Sequence, residues 1–213
     1  MSGAPIGILG GTFDPVHCGH LRLAVEVREA LGFDHVRLIP AAMPNHRPQP
    51  AAAGALRVEM LRAGAVAPGL VVDTRELERP GISYTFDTLN SLRAEFGARP
   101  LCLVLGMDAF NALPGWHRWQ ELGALAHFVV ATRPDAEPRW SAELDAFVAA
   151  ARVEDPAALA AAPAGRIHFR QIPLLPISSS DLRRRLQAGL SIDYLVPAPV
   201  LAIIERERLY RSS

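Results

Sequence analysis

The sequence predicts an α/β fold: a doubly wound, mostly parallel sheet with helices on both faces and a small C-terminal helical part. Short apolar runs that suit buried strands alternate along the chain with longer segments of helical periodicity. Glycines stop several of the predicted helices, as they commonly do at helix C-termini. Neither a repeat nor a linker interrupts the 213 residues, so we expect one domain, 1–213, with about 178–213 forming the helical part.

Apolar runs and helical segments predict the elements in order. The strands are Ile6–Leu9, Val36–Pro40, Leu70–Asp73, Leu101–Leu105, His127–Thr132 and Arg166–Gln171. The helices run from near Gly19 to Gly32, over Ala55–Ala67, from Tyr84 to Gly97 with Thr85 as N-cap, and over Ser141–Ala151, Ser178–Gln187 and Pro199–Tyr210. The polar stretch Thr74–Ser83, which contains Pro80-Gly81, predicts a loop. Right-handed crossovers between such strands give a parallel, Rossmann-like sheet.

Charge and cysteine content argue against several classes of function. Lys plus Arg equals Asp plus Glu at 22 residues each, so no basic field indicates nucleic-acid binding. No apolar run approaches the ~20 residues of a membrane span, and the N-terminus lacks a signal-peptide pattern. Cys18 and Cys102 have no CxxC partner, which favours free thiols in a reducing cytoplasm. We therefore expect a cytoplasmic protein that binds neither membrane nor nucleic acid.

The first predicted strand runs into a glycine-bearing loop and then into a helix. Residues 10–20 read Gly-Gly-Thr-Phe-Asp-Pro-Val-His-Cys-Gly-His, which puts His17 and His20 on one face of the helix start. The free amides and the dipole of a helix N-terminus attract anions, and glycines let backbone amides approach them. With two imidazole donors, this junction suits a polyphosphate. Two alternatives stay open: a surface or capped core histidine, and a metal site with Asp14 as the third ligand.

The same stretch resembles the first signature of the nucleotidyltransferases with the (T/H)xGH motif. Ile177–Arg183, which reads Ile-Ser-Ser-Ser-Asp-Leu-Arg, resembles their second signature, ISSTxIR. Two signatures in the right order, about a domain apart, are far more specific than either alone. Ser180 replaces the usual threonine but keeps the hydroxyl. Residues 44–47 read Pro-Asn-His-Arg where the family's adenylyltransferases often have a Pro-Pro-His-Lys/Arg-like stretch, which weakens the match there.

Within this superfamily, the resemblance extends over almost the whole chain to the nicotinate mononucleotide adenylyltransferases. The Tyr84–Leu89 pattern, the Gly106-Met107-Asp108 turn and the Trp116 segment carry it. It implies that the chain joins ATP and nicotinate mononucleotide to give nicotinate adenine dinucleotide and pyrophosphate in NAD biosynthesis. The mononucleotide phosphate would attack the ATP α-phosphate in line and, being anionic near neutral pH, needs no general base. Mg²⁺ would arrive with ATP, with few or no direct protein ligands.

The expected site residues fall into three groups. The catalytic group is His20 at the α-phosphate, His17 at the bridging and β-oxygens, and Arg183 at the β/γ end. The expected ATP contacts are Gly10, Gly11, Thr12, Phe13, Gly19, Gly106, Asp108, Ser178, Ser179 and Ser180. The expected contacts to the second substrate are Asp14, His46, Arg47, Thr85, Trp116, His117 and Arg133.

Several of these assignments have a simpler alternative. Asp108 follows the carboxyl end of a strand, where it can hold a ribose, or it is an ordinary N-cap. Thr85 faces the pyridine ring by resemblance, or it only caps its helix. His46 and Arg47 lie in a loop with three prolines, which swings onto phosphate or is a solvated linker. Arg133 binds phosphate or belongs to a surface turn.

The two tryptophans of the Trp116–Trp119 segment are given different roles. Trp116 lies on a loop and suits stacking on an aromatic base, a contact worth ~1–3 kcal/mol, whereas Trp119 suits packing. The rival functions are a phosphopantetheine adenylyltransferase, a cytidylyltransferase, a non-catalytic nucleotide sensor and a metal-binding regulatory module. The sequence is also compatible with a homo-oligomer.

Overall fold

The computed structural model describes residues 3–43, 49–132, 140–173 and 175–211. The strands are β1 (Ile6–Gly11), β2 (His35–Pro40), β3 (Leu70–Val72), β4 (Leu101–Gly106), β5 (His127–Thr132) and β6 (Ile167–Gln171). They form one six-stranded sheet in the order β3-β2-β1-β4-β5-β6, with every neighbouring pair parallel. Each predicted strand is confirmed within two residues at either end, and so is the Rossmann-like fold class.

Helices connect the strands. They are α1 (Cys18–Leu31), α2 (Gly54–Gly64), α3 (Arg75–Glu78), α4 (Thr85–Phe96), α5 (Met107–Asn111), α6 (Leu122–Leu125), α7 (Ala142–Ala151), α8 (Ser179–Gln187) and α9 (Ala198–Arg206). Short 3₁₀ turns occupy Leu113–Gly115, Trp119–Glu121 and Pro156–Leu159. In these described ranges, the helices lack the combination of length and apolar character that a bilayer crossing needs.

Two helix ends differ from the prediction. Helix α2 ends at Gly64 rather than Ala67, and its C-cap Ala65 has a ψ of 56°, outside the helical region. Helix α9 ends at Arg206, and the chain continues to Tyr210 in turns rather than as helix. Each difference shortens a helix whose periodic pattern continues into neighbouring residues, so the pattern alone does not fix the end.

The region before α4 also differs from the prediction. Residues 74–83 are not all loop, since they contain α3, whose Glu76 is buried and accepts a hydrogen bond from Thr88 at 2.6 Å. Tyr84 takes the extended N-cap position of α4, so the prediction that Thr85 caps this helix is wrong and Thr85 is its first helical residue. The sequence does not reveal α3, because a polar segment of four residues has no periodic signal of its own. The contact of Glu76 with Thr88 fixes it in the fold.

Both faces of the sheet are covered, as predicted. Side chains alternate between the faces of a strand, so Ile8 and Leu9 enter two different hydrophobic clusters. Leu182 of α8 packs in the Leu9 cluster, with residues of α1, α2 and α9, whereas Leu89 and Phe110 pack in the Ile8 cluster. Each fully buried side chain of this size contributes about 1.5–3 kcal/mol. The C-terminal helices are therefore fixed on the sheet by the same core that holds α1.

The strand order reverses between β1 and β4. The connection after β1 goes to one side of the sheet and the connection after β4 to the other, so a crevice opens outside their carboxyl ends. Helix α1 follows β1 at this edge and α5 follows β4. Open α/β sheets bind ligands at such a point, and the first sequence motif leads directly to it.

Candidate active site

Glycines leave open space at the strand reversal. Gly10 and Gly106 lie at the carboxyl ends of β1 and β4, and a Cβ built at either would meet no atom within 4 Å. A ligand can therefore approach the backbone where a side chain would otherwise stand. Gly11 differs, because a Cβ there would lie 3.3 Å from the ring of Phe13. Gly11 makes room for the loop's own side chain rather than for a ligand.

His17 forms the N-cap of α1. Its Nδ1 accepts a hydrogen bond from the backbone N–H of His20 at 3.3 Å, so the proton of the neutral ring is on Nε2. The side chain is buried, and burial lowers the pKa of His17 to about 4. The ring is therefore neutral at pH 7, with Nε2 as a hydrogen-bond donor. The alternative of a capped core histidine and the polyphosphate hypothesis both fit, since capping engages only one ring nitrogen.

His20 is half-buried and stacks on His17. The ring centroids are 3.6 Å apart with 22° between the planes, and the ring of Phe13 meets His20 edge-on at 5.0 Å. Phe13 is fully buried with a φ of 48°, so it supports His20 with its ring and offers a ligand only its backbone. Gly19 leaves the space for this arrangement, because a Cβ there would lie 3.0 Å from Nδ1 of His17 and 3.4 Å from the carbonyl oxygen of Leu175.

The start of α8 contacts the loop between β1 and α1. Ser178 caps α8 by accepting from the backbone N–H of Asp181 at 3.2 Å. Ser179 donates its hydroxyl to the carbonyl oxygen of Pro15 at 2.9 Å, and Nη1 of Arg183 donates to the carbonyl oxygen of Asp14 at 2.6 Å. The two motifs, more than 160 residues apart in sequence, therefore meet at one loop. Ser180 is exposed beside them, with its Oγ 3.4 Å from Nη2 of Arg183.

Asp14 does not have the exposed carboxylate that a substrate ligand would need. The residue is 2 % exposed, and its carboxylate accepts from the backbone N–H groups of Ala51 at 2.7 Å and Ala52 at 3.1 Å. The hydroxyl of Tyr210 donates to the same carboxylate at 2.6 Å. These contacts correct the expectation that Asp14 binds substrate, and they engage the oxygens that a metal ion would need. Asp14 instead joins three segments of the chain.

Arg57 was not anticipated from the sequence. It is 2 % exposed, and its guanidinium donates to the carbonyl oxygens of Thr12 at 2.7 Å and Ala52 at 3.3 Å. Burial lowers the pKa of Arg57, while the charge of nearby Asp14 opposes that shift. A signal was present, because Arg57 shares the buried stripe of α2 with Met60 and Gly64, at helical spacing. Arg57 thus engages the main-chain carbonyl of Thr12, one of the predicted ATP contacts.

A second group of predicted residues meets at the start of α4. The chain after β2 reaches this point, since Ala42 N–H donates to the hydroxyl of Ser83 at 3.0 Å. The ring of Tyr84, next to Thr85, lies 4.4 Å from the ring of His117. Trp116 is half-buried against the Ile8 cluster. The contact of Tyr84 with His117 thus joins the segment that contains Thr85 to the segment that contains Trp116. Trp119 is buried and packs against Phe147, as expected for a packing residue.

Of the four remaining predicted residues, one lies in the part of the chain that the structure describes. Asp108 is exposed at the second position of α5, one residue after Met107, so it is not the N-cap, which is Gly106. His46, Arg47 and Arg133 lie outside the described residues. In the ranges that are described, no three His, Cys, Asp or Glu side chains are grouped as metal ligands.

Fold and site together define a class of protein. A parallel sheet reverses its strand order where a glycine-bearing loop, two stacked histidines and the N-termini of α1 and α8 meet, which is the arrangement of a nucleotide-binding α/β protein that holds phosphates. A family model described as cytidylyltransferase-like matches residues 8–185, a range that includes both motifs.

Full-length relatives narrow the class. A Methylococcus capsulatus protein named probable nicotinate-nucleotide adenylyltransferase is 50% identical over 207 residues, covering 96% of this chain and 99% of its own length. A Pseudomonas putida (strain W619) protein of that name is 50% identical over 209 residues, covering 97% and 95%. The solved structure of Plasmodium falciparum nicotinic acid mononucleotide adenylyltransferase complexed with NaAD shares the fold, with a TM-score of 0.73, 17% identity and 98% of both chains covered. The chain therefore belongs to the cytidylyltransferase-like family and, within it, to the nicotinate-nucleotide adenylyltransferases.

Proposed function

We propose that the chain transfers the adenylyl group of ATP to nicotinate mononucleotide, forming nicotinate adenine dinucleotide and pyrophosphate in NAD biosynthesis. The observation that carries this proposal is the meeting of α1 and α8 at one loop, through the contacts of Ser179 to Pro15 and of Arg183 to Asp14. Two helix N-termini and two histidines around open strand ends suit one triphosphate. The names of the relatives give the same activity.

The reaction forms one bond and breaks one. A phosphate oxygen of the mononucleotide attacks the α-phosphorus of ATP, and the bond from that phosphorus to the bridging oxygen breaks, releasing pyrophosphate. The attacking oxygen is already anionic near neutral pH, so the protein needs no general base. Its role is to position two polyanions and to neutralise charge on the α-phosphate and the leaving group.

Each catalytic side chain has a role that fits its environment. His20 donates to the α-phosphate, and the neutral ring of His17 donates from Nε2 to the bridging and β-oxygens. Arg183 and the backbone amides around Ser179 hold the β/γ end. His17 and His20 directly follow the loop between β1 and α1, and Arg183 donates to it. A change in the position of that loop therefore alters the contacts of all three side chains.

Residues on either side of the phosphate site bind the adenosine and the pyridine ring. Asp108 accepts hydrogen bonds from the ribose hydroxyls of the adenosine, and Gly10 and Gly106 leave room for the nucleotide. Trp116, with Thr85 and His117, flanks the pyridine ring. His46, Arg47 and Arg133 supply further phosphate contacts. Mg²⁺ enters as part of the substrate MgATP, bound mainly by phosphates and water. The free thiols of Cys18 and Cys102 fit a cytoplasmic enzyme.

Pyrophosphate release over a panel of acceptors tests the proposal. We expect release with ATP and nicotinate mononucleotide, and much less with CTP or with phosphopantetheine. Nicotinamide mononucleotide in the same panel measures the preference for acid over amide. Nucleotide binding without pyrophosphate release from any pair would contradict the proposal and favour a sensor.

A further inference from the structure

A buried carboxylate joins three chain segments beside the proposed phosphate site. Asp14 lies in the loop between β1 and α1, and its partners come from residues 51–52 and from Tyr210. We propose that Tyr210 is a positioning residue for adenylyl transfer, which acts through Asp14 on the loop and on Arg183. The inference rests on the proposed function, and it assigns a role to a residue outside both sequence motifs.

The hydrogen bonds of Asp14 divide between its oxygens. Oδ1 accepts from the hydroxyl of Tyr210 at 2.6 Å and from the N–H of Ala52 at 3.1 Å, and Oδ2 accepts from the N–H of Ala51 at 2.7 Å. Nη1 of Arg183 lies 3.7 Å from Oδ2 and donates to the main-chain oxygen of the same residue. A rotation of the Asp14 side chain therefore disturbs its three hydrogen bonds and the 3.7 Å ion pair with Arg183. The hydrogen bond of Arg183 to the main-chain oxygen changes only if the loop itself moves.

Charge favours this arrangement. Two arginines, Arg57 and Arg183, lie near the buried carboxylate, and Arg57 also holds the carbonyl oxygen of Thr12. Burial and the hydrogen bond to Asp14 raise the pKa of Tyr210, so the phenol stays protonated and donates at any pH near neutral. A neutral donor adds a hydrogen bond to the carboxylate without adding a charge that would repel either arginine.

The backbone that leads to Tyr210 turns sharply. Arg208 and Tyr210 have φ values of 51° and 63°, in the left-handed region that residues other than glycine seldom adopt. Such conformations persist where tertiary contacts determine them. The turns after α9 place the phenol against Asp14.

The position of Asp14 governs Arg183. The guanidinium of Arg183 is held by the main-chain oxygen of Asp14 and is still about a third exposed, so the remainder of the group is available to phosphate. In the sequence, Ala51 and Ala52 come shortly after His46 and Arg47, which are predicted phosphate contacts. Asp14 therefore ties the motif loop to residues 51–52, and Tyr210 fixes Asp14.

The test removes one oxygen atom. Tyr210→Phe keeps the ring and loses the hydroxyl, and Tyr194→Phe makes the same change at a tyrosine that is 94% exposed. We expect Tyr210→Phe to lower kcat/KM for ATP about tenfold, mainly through kcat, and Tyr194→Phe to stay within about twofold of the unmodified chain. In an Arg183→Ala background, Tyr210→Phe should have no further effect beyond about twofold. Equal activity of the two phenylalanine variants, or the same tenfold loss without Arg183, would overturn the proposal.

A second readout does not depend on activity. Amide hydrogen exchange at Ala51 and Ala52 should become at least about fivefold faster in Tyr210→Phe and unchanged in Tyr194→Phe, because the carboxylate that both amides contact would be less restrained. Unchanged exchange in Tyr210→Phe would contradict the role given to Tyr210. If the unmodified chain released no pyrophosphate, the proposed function would fail, and exchange would still test the link between Tyr210 and Asp14.

Discussion

The two ends of the crevice are built differently. At the phosphate end, residues 10–20 with 178–183, the two motifs are joined by directional hydrogen bonds from side chains to main-chain oxygens, at 2.6 Å for Arg183 and 2.9 Å for Ser179. The ring end, residues 83–86 with 116–118, is held by ring contacts, with Tyr84 on His117 at 4.4 Å and Arg118 over the ring of Phe86 at 3.6 Å. Hydrogen bonds fix positions more narrowly than ring contacts do.

This difference has a functional meaning. Bond exchange at phosphorus depends on the alignment of the attacking and leaving oxygens, so the groups around them must be rigid. Recognition of a flat ring needs area and one face, which a partly exposed tryptophan supplies with some freedom. We therefore expect changes at the phosphate end to lower kcat and changes at the ring end to raise KM for the mononucleotide.

The largest expected effect is at the phosphate end. His20→Ala removes the proposed donor to the α-phosphate and should lower kcat by about 10²-fold or more, with little change in the fold. Steady-state pyrophosphate release measures the loss, and circular dichroism monitors the fold. His35→Ala is the control, because His35 begins β2 at the opposite edge of the sheet and should leave kcat within about twofold. Turnover of His20→Ala within a few-fold of the unmodified chain would show that the assigned role is wrong.

Acid stability should depend on His17. Its folded pKa of about 4 lies below the ordinary value of 6.5, so the unfolded chain binds more protons between those values. The free energy of unfolding should therefore fall as the pH is lowered from 6.5 to 4, by on the order of 2–3 kcal/mol from this residue. His17→Asn keeps an N-cap and removes the titration, so urea unfolding should show a shallower pH slope. Parallel slopes for the two chains would contradict the burial of a neutral ring.

A smaller effect is expected at the ring end. Trp116→Ala should raise KM for nicotinate mononucleotide about tenfold, as expected for a lost stacking contact, while KM for ATP and kcat stay within about threefold. Initial rates with each substrate varied in turn separate these constants. Trp116→Phe should restore most of the affinity, since it returns an aromatic face. An equal rise in KM for both substrates would mean that Trp116 supports the fold and not the pyridine subsite.

How far the sequence predicts this protein depends on the range of the contacts involved. The strands and the helix predicted over Ser178–Gln187 follow from neighbouring residues, and they agree with the structure to within two residues. The role of Asp14 does not, because its partners Ala51, Ala52 and Tyr210 are 37, 38 and 196 positions away. Its place in a phosphate-binding motif suggested a ligand, and only the folded chain shows that the carboxylate is buried.

Two intermediate cases show where the sequence signal was incomplete. Arg57 lies on the apolar stripe of α2, which marks it as buried but does not reveal that it binds Thr12. Glu76 gives no local signal, because α3 is too short for periodicity and its contact with Thr88 spans two helices. Local patterns therefore indicate the burial of side chains on a periodic stripe, such as Arg57, whereas the burial of Asp14 and Glu76 and the polar partners of all three become visible only in the structure.

The most direct measurement is a crystal structure of the chain with a non-hydrolysable ATP analogue. The triphosphate should lie between the N-termini of α1 and α8, with the His20 ring within hydrogen-bond distance of the α-phosphate and Arg183 at the β/γ end. Phosphates bound on another face, or in contact with only one of the two helices, would contradict the claim that both motifs serve a single triphosphate.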